Sequence, residues 1–307
     1  MKYILLLIFL LTTLFLRAQD DQLSKDIATI VYLDSFVVSA TQQGFQVADF
    51  IDIVQADESF FSAFHNLRFQ AYYSDNNIQL FNRKGKEQAI YESRIHQEVV
   101  GDCRTMKILT EEIAGNFFKN KKKRKHRYYT ARMHESIFYT NGKVCDDRNG
   151  PGISEASLSG VAKHVNELKK LIFQPGREVE VPLIGGKTAI FKKDMLQYYQ
   201  FSIKQDAYKD GTDAYIFTAV AKPNYKPHKT IIKYLETWFD KKSFQVLGRN
   251  YHLQYSGIVD FDVKMKVELQ QLEGKYIPKY VQYDGDWKVP LQKRERATFS
   301  ISVEPIH

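Results

Sequence analysis

Four groups of residues in this chain have types that could do chemistry. Gly185-Gly186-Lys187-Thr188 ends like a phosphate-binding loop. Such a loop needs a glycine five positions before its second glycine, so that backbone N–H groups can wrap the phosphates. Position 181 is Val, and Ala189-Ile190-Phe191 reads as strand where a helix should begin. A hairpin turn at GGKT is the expectation. His134-Glu135 opens an H-E-x-x-H zinc motif, but Phe138 stands where the second histidine must be. His96 and Glu98 would share one face of a strand, with no third ligand candidate beside them. Asp260, Asp262, Glu268 and Glu273 have the spacing of exposed strand positions. Paired carboxylates can do acid–base work only if they converge, and spacing does not bring these together. No G-x-S-x-G elbow is present. The chain is therefore read as non-enzymatic, with no cofactor and no metal.

The two cysteines, Cys103 and Cys145, have no C-x-x-C spacing and no companion histidine cluster. Two readings stay open. A bridge would close a long loop and stabilise by about 4 kcal/mol in the chain-entropy model. Otherwise they are two buried thiols.

The strongest charge feature is KNKKKRKHR, with Lys119, Lys121, Lys122, Lys123, Arg124, Lys125 and Arg127. The chain carries a formal +8, of which Lys2 and Arg17 supply two charges and this run seven; 8 − 2 − 7 leaves −1. The basicity is thus one local cluster. A nucleic-acid-binding domain spreads its charge over a face, which makes nucleic acid an improbable partner. Two readings remain. One is a solvated, mobile connection between strands. The other is a contact with anionic lipid headgroups or polysaccharide.

The compartment decides between these classes. Residues 1–18, MKYILLLIFLLTTLFLRA, place Lys2 before an apolar run that ends at Leu16, with Ala18 at the expected cut. The run is shorter than the roughly 20 residues of a membrane span and fits a signal-peptide core of about 7–15 residues. The expectation is an exported protein, in the periplasm or at the outer membrane or beyond, with no transmembrane helix in the mature chain. Residues 19–307 are expected to form a single β-rich domain, with a subdivision near 174 as the alternative.

The elements follow from periodicity. A strand is expected over 28–40 and helices over 45–57 and 58–68. Residues 69–100 read as an antiparallel pair about the turn NRKGKE, and 104–118 extend it. Asn141-Gly142 predicts a hairpin within 128–147. Leu158, Val161, Val165, Leu168 and Ile172 form the stripe of a helix at about 154–173. Strands are then expected over 177–191, 199–207, 213–222, 230–240, 243–255, 260–273, 276–284 and 293–303, with a short helical insert at 192–199. The fold class is α+β, mainly β: one curved antiparallel sheet with few helices.

The motif LDSFVVSA (33–40), two helices and FHNLRFQAYYSDNNIQLF resemble the region that follows carboxypeptidase-regulatory-like domains in exported Gram-negative proteins. The segments MLQYYQFSIKQDAYKDGTDAYIFTAVAKP, YLETWFDKKSFQVLGRNYHL and GKYIPKYVQYDGDW look like that family's closing strands. These in turn are similar to lipoprotein-carrier (Lol-type) half-barrels, in which a concave sheet wraps helices or an acyl chain. The resemblance implies a non-enzymatic envelope protein that binds an apolar or lipid-like ligand, or a partner protein, in the concavity. The alternative is a scaffold that docks anionic surfaces through the basic run. A hydrolase with a site of distant carboxylates ranks last.

Overall fold

The computed structural model describes residues 51, 54–145, 171, 175–176, 178, 184–257, 260–288 and 293–306. All lie in the unit Ile51–His307. The leader (1–18), the strand expected over 28–40 and all but Leu171 of the helix expected over 154–173 lie outside the described residues. Leu171, Ile51 and residues 54–56 are helical.

Helix α1 is Ser59–Leu67; β1 Tyr72–Phe81, β2 Glu87–Val100 and β3 Cys103–Gly115 follow. A small hairpin, β4 Phe118–Asn120 and β5 Lys125–His126, leads to helix α2, Tyr129–Phe138, and to β6, Val144–Cys145. After a single helical turn, α3 at Gly185–Thr188, come β7 Tyr199–Ala207, β8 Asp213–Ala221, β9 Ile232–Asp240 and β10 Val246–Tyr255. The chain ends with β11 Asp260–Leu272, β12 Lys275–Lys288 and β13 Glu295–Pro305. Among the described residues, the strands apart from β4 and β5 form one 11-stranded sheet in the order β6-β3-β2-β1-β13-β12-β11-β10-β9-β8-β7. It is antiparallel, curved and not closed. Strands from both sides of residue 174 share it, joined where β1 pairs with β13.

The expected meander is present from β7 to β13. β11, β12 and β13 alternate because one face is buried and the other faces water, whereas β8 and the start of β10 are buried on both faces. Tyr283 and Phe299 are cross-strand partners on the inner face, with rings stacked at 4.7 Å. Such aromatic pairs add about 0.5–1.5 kcal/mol beyond their buried area. On the outer face Arg94 reaches across strands to Asp75 (2.6 Å) and Glu304 (2.5 Å).

The inner face needs cover, and the helices supply it. The α2 ring of Phe138 lies 6.3 Å from both Phe299 and Phe64 of α1. Glu295 of β13 accepts hydrogen bonds from the first amides of α2, Tyr129 N and Thr130 N, each at 2.7 Å. That satisfies free donors and places a negative charge at the positive end of the helix dipole. At the other end the Tyr72 hydroxyl donates to the Phe138 carbonyl (3.3 Å). The buried Gln97 amide faces the carbonyls that end α1, with Gln70 O nearest at 2.9 Å. Its oxygen accepts from Thr140 (3.0 Å).

Two expectations are corrected. The stretch 128–147 is not a hairpin of two strands. Thr130, His134 and Phe138 recur at a spacing of four and are buried on one helical face, while Glu295 caps the helix start. Gly142 does take a left-handed φ of 71°, but the strand after it, β6, pairs with β3. The segment 184–191 is not a strand either, and GGKT is a helical turn rather than a hairpin turn. The backbone here bonds locally, Lys187 N to Ile184 O (2.9 Å), Ile190 N to Thr188 O (3.0 Å) and Lys192 N to Ala189 O (3.0 Å), which are turns and not ladder bonds.

Cys103 and Cys145 are opposite one another in the β3–β6 pairing and form a disulfide. Reduction, or Cys145→Ser, is expected to lower stability by about 2–4 kcal/mol, seen as a drop in the denaturation midpoint. His134, fully buried against Phe299, has its pKa pushed down to about 3, first by burial and then by the neighbouring His126. Above about pH 6.5 it is neutral folded or unfolded, and the fold keeps its full stability. As pH falls below that, only the unfolded chain takes the proton. Stability should therefore drop by about 1.4 kcal/mol per pH unit until the folded pKa is reached. Urea titrations of His134→Phe are expected to show this component of the slope removed.

Candidate functional site

Among the described residues, the cover over the inner face leaves an opening beside α1. There a partly open cavity of about 390 Å³ is lined by Val54, Phe60 and Phe61, by Ala189 and Phe191 after α3, and by Leu235 of β9. Pro175 and Gly176 complete the apolar wall. Glu178 and Lys192 pair at 2.5 Å where the lining meets solvent.

Arg249 also lines the cavity. It sits on β10 in phase with the buried Tyr251 and Leu253, so the strand period points its side chain inward. Its guanidinium carbon lies 4.3 Å from the centre of the Phe60 ring. Its Nε donates to Thr237 (2.9 Å), and Nη2 lies 3.5 Å from the Asp57 carboxylate. Both charged side chains are 7% exposed. Asp57 has a second task. Its Oδ1 accepts from Ser59 N (3.1 Å) and Ser59 Oγ (2.6 Å) at the start of α1. Ser59 Oγ in turn accepts from Val246 N of β10 (2.9 Å). One carboxylate thus caps the helix and faces the buried cation.

The residues singled out by sequence lie elsewhere. Lys121, Lys122 and Lys123 are exposed at the turn between β4 and β5. Lys119, Lys125 and Arg127 are exposed beside it. Arg124 differs, because it turns back to bond Glu111 and the Tyr91 hydroxyl and holds the Glu111 carboxyl below its usual range. His96 and Glu98 share a face at 3.6 Å, but His96 stacks on Tyr73 and Glu98 is taken by Lys107. Among the described residues no three His, Cys, Asp or Glu side chains gather as metal ligands. The late carboxylates stay apart: Asp262 pairs with His252, Glu268 with Lys209 and Lys266, and Asp260 faces Lys288. The cavity itself was missed. Its one sequence signal is an arginine in the apolar phase of VLGRNYHLQY (246–255).

No family model matches the chain, and no curated protein matches it. Among solved structures, it is similar to a LolA superfamily protein from Nitrosomonas europaea, at 8% identity over 82% of this chain and 95% of that one, with a TM-score of 0.23. A domain named for outer membrane lipoprotein sorting, from Vibrio parahaemolyticus, is 9% identical over 80% and 91% of the two chains, with a TM-score of 0.26. A DUF1329 family protein from Desulfovibrio piger is 14% identical over 84% and 88%, with a TM-score of 0.23. Among the described residues no helix is long and apolar enough to cross a membrane.

Arg249→Met removes the cation facing a buried carboxylate and is expected to cost about 3–5 kcal/mol. Asp57→Asn keeps an oxygen for the helix cap. The double variant Asp57→Asn/Arg249→Met should therefore recover most of that loss, and denaturation midpoints of the three variants close the cycle.

Proposed function

We propose that this is an exported, non-enzymatic binding protein of the cell envelope that takes an apolar, lipid-like ligand into the cavity beside α1. The single observation that carries the reading is that cavity. Its volume of about 390 Å³ falls in the roughly 300–1,000 Å³ range of small-molecule sites. Val54, Phe60, Phe191 and Leu235 supply its apolar wall, and the four charged groups of the lining are taken up in the pairs Arg249–Asp57 and Lys192–Glu178. A wall of this kind favours apolar surface at roughly 25 cal/mol per Å² removed from water. The leader-like residues 1–18 support export.

The test has two arms. Protein purified from its native compartment is extracted and analysed for acyl species by mass spectrometry. In parallel, uptake of the apolar dye N-phenyl-1-naphthylamine is compared between the parent and Ala189→Phe, which fills the cavity. Acyl species in the extract and dye affinity at least roughly tenfold weaker in the variant are expected, a loss of about 1.4 kcal/mol. An empty extract together with unchanged dye uptake would remove the cavity as the site.

A further inference from the structure

We infer that the β4–β5 hairpin is a docking finger that holds the protein against an anionic lipid bilayer. The inference is independent of what fills the cavity beside α1. The basic run is built onto the fold. Phe117, just before β4, stacks on Tyr91 of the inner face at 4.8 Å, and Phe118 stacks on His126 of β5 at 5.0 Å. His126 Nε2 lies 3.0 Å from the Glu135 carboxylate of α2, and that bond holds the carboxyl below its usual range. Arg124 takes a left-handed φ of 48° and closes the turn, its amide bonding Lys121 O at 3.2 Å. Its side chain turns back over the Phe118 ring (5.0 Å) to Glu111. Asn120 Oδ1 accepts from Lys123 N at 2.9 Å.

These anchors use the Arg124 charge, and Arg127 donates from Nε only to the Asn116 carbonyl (3.1 Å), so six cations keep no acidic partner. Lys119, Lys121, Lys122, Lys123, Lys125 and Arg127 are all exposed, and none pairs with an acidic side chain among the described residues. Holding like charges together is unfavourable unless an opposite charge meets them, and a surface of anionic headgroups does that.

The neighbours of the hairpin select a bilayer over a soluble polyanion. Ile108 lines a cavity of about 180 Å³ together with Arg124 and His126, which places it beside the hairpin. It is 39% exposed. The next residue, Leu109, is 49% exposed. The β2–β3 register shifts here, with Ile95 opposite Ile108 and Arg94 opposite Thr110, so Leu109 is the extra residue of a β-bulge. Exposed aliphatic side chains beside a lysine cluster suit the boundary between headgroups and acyl chains.

The experiment is sedimentation of the full chain with vesicles of phosphatidylglycerol and phosphatidylcholine, or of phosphatidylcholine alone, at low and high salt. Each basic side chain near an anionic surface is worth roughly fivefold in partitioning. Lys121→Gln/Lys122→Gln/Lys123→Gln is therefore expected to bind anionic vesicles more weakly by on the order of 100-fold. Ile108→Ser/Leu109→Ser should weaken vesicle binding while leaving heparin retention unchanged. The docking finger is overturned if the parent does not bind anionic vesicles, or if the lysine variant binds them equally well. It is overturned in favour of a polysaccharide contact if heparin retention depends on the lysines but the serine variant keeps full vesicle binding.

Discussion

An open antiparallel sheet with one apolar face must find cover for it, because that face cannot close on itself. Everything else in the described unit answers this constraint. Leu80, Ile95, Val263, Tyr283 and Ile301 are buried on strands that expose their alternate side chains. A helix laid on such a surface is favoured by burial alone, but burial is non-directional and does not fix where the helix lies. Direction comes from polar anchors. Glu295 and Tyr72 hold the two ends of α2; Gln97 and the Asp57–Ser59 pair hold the two ends of α1. Each anchor uses groups that a helix terminus leaves unsatisfied, so the same bonds that satisfy those groups specify position.

The same logic explains the cavity. Arg249 is a cation on the apolar face, and Asp57 is the compensation that makes its burial tolerable. Because Asp57 also begins α1, the helix is tied to the residue that keeps a charge at the cavity wall. Apolar rings lie between the buried Arg249–Asp57 pair and the exposed Glu178–Lys192 pair, which gives the lining a direction.

The β3 edge shows a second constraint. A free strand edge invites pairing with other chains. Here β6 covers the start of β3 through the Cys103–Cys145 pair, and a bulge at Leu109 breaks the regular ladder farther along. The β4–β5 hairpin then leans on Glu111 of the same strand. The edge is thus blunted, and the device that blunts it also presents lysines outward.

Sequence alone determined what depends on neighbours along the chain. Alternation located the β1–β2 pair, because a half-buried strand writes its period directly. The spacing of turn residues located β7–β13, and local charge singled out 119–127. Contacts between distant residues stayed illegible. Asn141-Gly142 suggested a hairpin because the pair suits one, yet the preceding residues are helical once Glu295, from the far end of the chain, meets their amides. Nothing near Arg249 in the chain marks its partner: β10 turns it inward, and Asp57, far earlier in the chain, lies 3.5 Å from it. Only tertiary structure chose one of the two readings of the cysteines, by pairing β6 with β3. The physical reason is the same in each case. Period and turn chemistry act over a few residues, while a buried charge, a distant cap or a cross-strand bridge is decided by which segments the sheet brings together.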